Sequence, residues 1–179
     1  MKFIRDPIHD IIRIQDPFIL DLLDTVPVQR LRRIRQLGLA SLVYPGADHT
    51  RFAHSLGVFH LAGRLMEQLT AATDRNLFDD GLREAVLAAA LLHDIGHGPF
   101  SYVFERVGQE LGLLSDHEKW SLRIVREDER IGQVLNSISS DLQDQVCQII
   151  DHTFTPHFVT AIVSSQLDAD RFRTPKLDR

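Results

Sequence analysis

The sequence predicts an all-α domain with one hydrophobic core and a small β-hairpin near its N-terminus. The most hydrophobic run, residues 85–92, is apolar almost all round a helix, which is typical of a helix at the centre of a bundle. In the segment before it, apolar residues recur at helical spacing from Val58 to Leu69. The 179 residues contain no repeat, low-complexity tract or linker that would divide them, so residues 1–179 are expected to form a single domain.

Turn and cap signals give the expected order of the elements. Weak alternation of apolar residues over 2–14 predicts the hairpin, and Asp16 followed by Pro17 is a typical helix start. The charged tail at 175–179 is expected to fray. Helices are expected over 18–23, over 25–37, from about residue 50, over 82–94, and near 101–111, 117–127, 129–136, 141–151 and 156–170.

Composition narrows the class of protein. The single cysteine, Cys147, excludes an intramolecular disulfide and fits a cytoplasmic location. The N-terminus lacks the apolar core of a signal peptide, and no run is long enough to span a bilayer, so no membrane partner is expected. A formal net charge of −5 argues against a nucleic-acid partner. Both a monomer and a homo-oligomer stay open.

A group of ionisable residues follows the most apolar helix. His93 and Asp94 end that helix, and Gly96 and His97 come directly after them. Packing alone gives no reason for two imidazoles and a carboxylate there, although single histidines often cap helices or satisfy core polar groups. Imidazole and carboxylate form a mixed N/O ligand set that suits a divalent transition metal. Further ligands must come from elsewhere, and His54 on the preceding amphipathic helix is a candidate.

These residues, in their order along the chain, resemble the metal signature of the HD-domain phosphohydrolases. The surrounding motifs narrow the resemblance to the deoxynucleoside triphosphate triphosphohydrolases and the compact oxetanocin-biosynthesis phosphohydrolase. The resemblance therefore implies an HD-domain helical bundle. The matching segments are residues 5–9, 29–38, 44–47, 49–58, 93–101, 117–118 and 166–171.

The resemblance implies one metal site. His54, His93, Asp94 and Asp170 would ligate a single divalent ion, and Asp168 would orient a neighbouring group. Manganese, cobalt, nickel, iron and magnesium all suit such a ligand set, so the identity of the ion stays open.

The resemblance also implies which side chains meet the phosphates. Arg51, one helical turn before His54, would bind a phosphate through its planar two-pronged guanidinium, with a solvated surface arginine as the alternative. His97, His117 and Glu118 would supply acid and base catalysis. His117 and Glu118 also fit a structural role at a helix N-terminus.

Other positions concern the nucleoside and the departures from the family pattern. Gln36 and Leu37 match residues that meet the nucleoside, although Leu37 fits core packing equally well. Tyr102 stands at a substrate-facing position where the family has histidine, and tyrosine cannot act as a cationic acid at neutral pH. Thr174 replaces a sugar-contacting tyrosine, and Asp10 replaces a common turn glycine.

The predicted function is a metal-dependent phosphohydrolase that removes phosphate from a (deoxy)nucleotide, foremost a nucleoside triphosphate. The alternatives are a nucleotide-binding or sensing module with little turnover, and a 5′-nucleotidase or phosphodiesterase of the same fold. The basic run Arg30, Arg32, Arg33 and Arg35 is interpreted as a solvated helix face. Five other histidines have no strong indication of a functional role: His9, His49, His60, His152 and His157.

Overall fold

The structure, a computed structural model, describes residues 1–73, 75–100, 102–112 and 116–164, with the backbone alone at Tyr102. The prediction of an all-α domain with an N-terminal hairpin is confirmed. In the described residues, no helix is both long and apolar enough to cross a bilayer. The elements are β1 (Lys2–Asp6), β2 (Asp10–Ile14), α1 (Pro17–Leu23), α2 (Val26–Arg30), α3 (Arg51–Thr73), α4 (Asp80–Leu92), α5 (Tyr102–Glu110), α6 (His117–Glu127), α7 (Glu129–Ile138), α8 (Leu142–Ile150) and α9 (His157–Val163).

The hairpin closes through an Asp6 turn. The carboxylate of Asp6 accepts hydrogen bonds from the backbone N–H groups of Ile8 and His9, both at 2.9 Å. Asp10 then adopts a φ of 58°, a left-handed conformation that aspartate tolerates better than most residues. This explains how Asp10 stands where the family commonly has glycine. The antiparallel pairing runs from Lys2 opposite Ile14 to Asp6 opposite Asp10.

Helix α4 is the centre of the bundle, as its composition predicts. Every residue from Ala85 to Leu92 is buried, and the helix packs against α3, α8 and α9. Its N-terminus is capped by the Asp79 carboxylate, which accepts a hydrogen bond from the Leu82 N–H at 2.8 Å. Its C-cap is His93, so His93 and Asp94 directly follow the buried half of this helix.

The predicted second helix over 25–37 is wrong beyond Arg30. Helix α2 gives way to one 3₁₀ turn, and Ile34 is extended. The Ile34 carbonyl accepts a hydrogen bond from the Arg51 N–H at 2.8 Å, and Arg35 forms a β-bridge with Thr50. This long-range pairing overrides the local helix propensity of the segment. It also fixes the chain at the start of α3, where two site residues lie.

The ninth helix is shorter than the predicted 156–170. Helix α9 begins at His157 and ends at Val163, with Ser164 as its C-cap. The rest of that segment and the tail at 175–179 lie outside the described residues, and the single domain over 1–179 stays a prediction.

Candidate metal centre

Asp94 is the centre of the candidate site. It is 5% exposed, and four basic side chains surround its carboxylate. Oδ2 lies 2.6 Å from Arg51 Nη1 and 3.6 Å from His54 Nε2. Oδ1 lies 3.5 Å from His93 Nε2 and 3.3 Å from His97 Nε2. The predicted meeting of His54 with the His93–Asp94 pair is therefore observed.

The surroundings keep Asp94 ionised. Burial by itself would raise the pKa of this carboxyl group. The nearby His93, the hydrogen bond from His97, and then Arg51 and His54 outweigh burial and hold the pKa of Asp94 well below its usual range. The site therefore presents a buried carboxylate anion at neutral pH.

Two helix ends bring these groups together. Arg51 and His54 lie one turn apart at the start of α3, where Thr50 accepts a hydrogen bond from the His54 N–H through its carbonyl at 3.0 Å. His93 and Asp94 follow α4, and a turn closed by the His97 N–H on the Asp94 carbonyl at 3.2 Å returns His97 to the carboxylate. Because α3 and α4 pack against each other, both ends face one point.

The arrangement of donor atoms fits a divalent metal ion. One atom each from His54, His93 and Asp94 lies within 4.8 Å of the others. Two ligand atoms about 2.1 Å from a shared ion are at most about 4.2 Å apart, and the distances of 3.5 and 3.6 Å from the two histidines to Asp94 satisfy this limit. His93 Nδ1 lies 2.9 Å from the Ala90 carbonyl oxygen. Since a carbonyl only accepts, Nδ1 carries the proton and Nε2 carries the lone pair needed for a metal.

A second cluster adjoins the first. The rings of His97 and His117 stack with centroids 4.0 Å apart, and His117 Nδ1 lies 2.8 Å from Glu105 Oε1. The same carboxylate oxygen lies 3.4 Å from His97 Nδ1. Glu105 was not predicted from the sequence. Its only signal is its place on the helix that follows the His-Asp turn, which gives no reason to choose it among the acids nearby.

His97 is neutral more readily than a free histidine. Burial lowers the pKa of His97, and the hydrogen bond and charge of Asp94, which act in the opposite direction, do not fully compensate. Arg51 and His117 lower it further.

Ser121 and Gly96 join α6 to the His-Asp turn. The fully buried Ser121 hydroxyl donates to the His93 carbonyl at 2.7 Å and accepts from the Gly96 N–H at 2.9 Å. A Cβ on Gly96 would overlap the backbone carbonyl of His117 and the N–H of Ser121. This close approach brings His117 beside His97.

Arg30 also contacts the turn that contains Ile95 and His97. Its guanidinium donates to the carbonyl of Ile95 at 2.5 Å and to the carbonyl of His97 at 2.9 Å. Burial lowers the pKa of Arg30. The prediction of a solvated basic face is therefore wrong for Arg30, whereas Arg33 is exposed as expected.

The remaining predicted residues differ in exposure, and some of them lie outside the described residues. Glu118 is exposed but lines a cavity of ≈ 80 Å³ with His93, Asp94 and His117. Arg51 is 2% exposed, which rules out the solvated-arginine alternative. The side chain of Tyr102, and Asp168, Asp170 and Thr174, lie outside the described residues.

Gln36 and Leu37 lie in the loop beside the start of α3. Both are half-buried, and the Gln36 N–H donates to the His49 carbonyl at 3.0 Å. The Gln36 side-chain oxygen is buried, and within the described part of the chain it has no hydrogen-bond partner.

Comparison with known proteins decides the family. A model of the HD domain matches residues 51–173. The chain belongs to the HD-domain family. This confirms the resemblance drawn from the sequence, and with it the HD-domain helical bundle.

The relatives are longer proteins. The uncharacterized protein YwfO of Bacillus subtilis (strain 168) is 42% identical over 170 residues, which are 95% of this chain and 38% of YwfO. The deoxynucleoside triphosphate triphosphohydrolase SAMHD1 of Bos taurus is 44% identical over 121 residues, 68% of this chain and 20% of that protein. A crystal structure of a phosphohydrolase from Bacteroides thetaiotaomicron matches with a TM-score of 0.82 and 39% identity, over 97% of this chain and 40% of that one. The chain thus spans less than half the length of each of these relatives.

Proposed function

We propose that this HD domain is a metal-dependent phosphohydrolase that removes phosphate from a (deoxy)nucleotide, foremost a nucleoside triphosphate. The observation that carries the proposal is the buried Asp94 carboxylate, contacted within 3.6 Å by His54, His93, His97 and Arg51. A phosphohydrolase needs a site that positions a polyanion and neutralises its charge, and this cluster combines metal-type ligands with cationic groups.

His54, His93 and Asp94 are the residues that would hold the ion, and Asp170 is proposed as the fourth ligand. Asp170 follows Ser164 by six residues, and Ser164 lines the cavity that His93 and Asp94 share. When bound, a divalent ion supplies Lewis acidity and lowers the pKa of water. Manganese, cobalt, nickel, iron and magnesium remain the candidates, since imidazole and carboxylate ligands accept all of them.

Arg51 is proposed to bind a phosphate. A guanidinium has five N–H donors in a planar fork, so one side chain can contact both Asp94 and a phosphate oxygen. Its burial places this charge in a low-dielectric environment, where its attraction for a phosphate is stronger than in water.

His117, oriented by Glu105, is proposed as the group that transfers a proton to the leaving oxygen. Its Nδ1–H donates to the Glu105 carboxylate, which leaves Nε2 to exchange the proton with substrate. His97 stacks on His117 and is hydrogen-bonded to Asp94, and it is proposed to face the phosphate chain beside His117. Glu118 is proposed to assist from the cavity wall.

Two observations support a nucleoside triphosphate as substrate. Several relatives are named deoxynucleoside triphosphate triphosphohydrolases. The buried Gln36 side-chain oxygen, which has no hydrogen-bond partner within the described part of the chain, suits a contact with the nucleoside. Because Tyr102 stands where the family has histidine, the bond cleaved is left to experiment.

The test is product chromatography after incubation with Mn²⁺ and each ribo- and deoxyribonucleoside triphosphate. Asp94→Asn removes the central charge at constant volume, and Asp21→Asn, on the exposed face of α1, is the matched control. We expect nucleoside plus tripolyphosphate, or stepwise di- and monophosphates, from the wild type and the control but not from Asp94→Asn. Absence of turnover by the wild type, with retained nucleotide binding, would favour the binding-module alternative, for which the Tyr102 replacement argues.

A further inference from the structure

His152 occupies a backbone position that normally selects glycine. Helix α8 ends at Ile150, and His152 follows its cap with a φ of 57°. The His152 N–H bonds to the Ile149 carbonyl at 3.3 Å, and the Thr153 N–H bonds to the Gln148 carbonyl at 2.9 Å. This is the hydrogen-bond pattern of a Schellman motif, whose left-handed residue is usually glycine because a Cβ is unfavourable there.

The imidazole of His152 contributes nothing to this helix end. The carbonyls of Cys147, Gln148 and Ile149 in the last turn accept hydrogen bonds from backbone N–H groups and from the Thr153 hydroxyl, not from the His152 ring. The His152 side chain is exposed, and among the described residues it makes no hydrogen bond or ion pair. Packing and capping therefore give no reason for a histidine at a position that glycine would fill with less strain.

His152 instead lines the cavity of the candidate site. His93, Asp94, His117 and Glu118 contribute the predicted site residues to the lining of this cavity. The rest of the lining comes from the ends of α8 and α9, with Ile149, Ile150, His152, Val163 and Ser164. Among the described lining residues from α8 and α9, the His152 ring and the Ser164 hydroxyl are the only side-chain hydrogen-bond donors.

The size of the cavity restricts what enters it. Its volume of ≈ 80 Å³ is far below the ~300 Å³ of pockets that enclose whole small molecules. A single phosphate group suits this space, whereas a nucleoside does not. The part of a nucleotide nearest His93 and Asp94 would therefore be its phosphate chain.

We propose that His152 binds the phosphate chain of the substrate, donating an imidazole N–H to a phosphate oxygen in the cavity that it lines together with Asp94. The proposal rests on the proposed phosphohydrolase function and adds a binding residue to it. Together with Arg51 on α3, it would hold the chain from two separate helix ends, which favours a defined orientation of the reacting phosphate.

The test uses a variant that removes the side chain without straining the turn. His152→Gly suits the left-handed φ, so folding is expected to be retained and the melting temperature to be unchanged or higher. His152→Asn also tolerates this conformation and keeps a donor on a shorter side chain. His157→Asn, an exposed histidine at the start of α9, is the matched control.

With the nucleoside triphosphate that the wild type hydrolyses fastest, His152→Gly should raise KM at least about tenfold, the scale of one hydrogen bond to a charged group. His152→Asn should raise KM less, and His157→Asn less than twofold. The inhibition constant of inorganic tripolyphosphate should rise with KM in His152→Gly, whereas that of the unphosphorylated nucleoside should not change.

A KM for His152→Gly within twofold of the wild type would overturn the proposal, and so would equal weakening of inhibition by the nucleoside. If the wild type hydrolyses none of the triphosphates, the proposed function fails independently of His152. Calorimetric binding of tripolyphosphate with Mn²⁺ then decides: tenfold weaker binding by His152→Gly supports the contact, and equal affinity refutes it.

Discussion

The Ser121 hydroxyl lies 2.7 Å from the carbonyl oxygen of His93 and donates a hydrogen bond to it. It joins the second turn of α6 to His93, one of the proposed metal ligands, through a side chain that is fully buried. Because α6 begins with His117, this one bond relates the position of the proposed proton donor to that of the proposed metal ligands. The two halves of the site therefore depend on a residue that would touch neither metal nor substrate.

Ser121→Ala should destabilise the protein and misplace His117. It leaves the His93 carbonyl and the Gly96 N–H without their shared partner, at a cost of about 1–3 kcal/mol. Urea unfolding measures this loss. Ser137→Ala is the control, since the Ser137 hydroxyl also donates to a backbone carbonyl but lies at the surface. Equal unfolding free energies for the two variants would contradict the coupling.

Gly96→Ala should lower the stability of the protein far more than the same substitution at Gly46. The new Cβ would overlap the backbone of His117 and Ser121, and backbone cannot rotate out of the way as a side chain can. We expect a loss above about 2 kcal/mol in chemical denaturation, or insoluble protein. Gly46→Ala, where a Cβ would meet no atom within 4 Å, should change stability by no more than about 0.5 kcal/mol.

Glu105→Gln should lower kcat with little effect on KM. The substitution keeps an acceptor near His117 Nδ1 but removes the carboxylate charge that lies beside the ring when it transfers a proton. A decrease of about 10²-fold fits the usual contribution of acid–base groups. Steady-state kinetics on Glu105→Gln and on Glu110→Gln, an exposed acid of the same helix that pairs with Arg106, measure the difference. Unchanged kcat in Glu105→Gln would remove Glu105 from the mechanism.

Arg30→Met should destabilise the turn that carries His97. The carbonyls of Ile95 and His97 would lose their guanidinium donors while staying largely shielded from water. The expected loss is about 1–3 kcal/mol in thermal or chemical unfolding. The same change at the exposed Arg33 should be near neutral, and a similar loss at both positions would indicate a general charge effect instead.

Cys147 should resist thiol reagents in the folded protein. Burial raises the pKa of its thiol, more than the neighbouring Arg126 lowers it, so the reactive thiolate is scarce. The folded state then binds its proton more tightly than the unfolded state. The stability linked to this group is present below about pH 8.5 and falls as the pH rises above that value. Labelling by a disulfide reagent at pH 8 should be slow in buffer and fast in urea.

The parts of the fold that the sequence predicts are those set by local pattern. The apolar run 85–92 predicts a central helix, and the apolar residues that recur at helical spacing after His54 predict that its helix packs against that run. The end of the second helix is different. Residues 31–37 have a helical pattern, and only the pairing of Ile34 and Arg35 with the start of α3 makes them extended. Such pairing between distant segments leaves no local signal.

The residues of the candidate site show the same difference between local sequence pattern and contacts between distant segments. His93 and Asp94 stand out because an apolar helix ends in them, whereas Arg30 is hidden within a basic run whose other members are solvated. What separates Arg30 is the position of two carbonyl oxygens more than 60 residues away in sequence. Glu105 is missed for a similar reason, since its role depends on a histidine twelve residues later that stacks on another.

Because four side chains share Asp94, substitutions at these positions affect one another. Each of the two Asp94 oxygens contacts two basic side chains. Replacing one of these four side chains therefore changes the electrostatic interactions of the other three with Asp94. The free-energy effects of single substitutions in such a cluster do not add. A variant that changes only one member leaves a buried charge uncompensated. The contribution of each side chain is therefore measured in double-mutant cycles that change Asp94 together with one of its four partners.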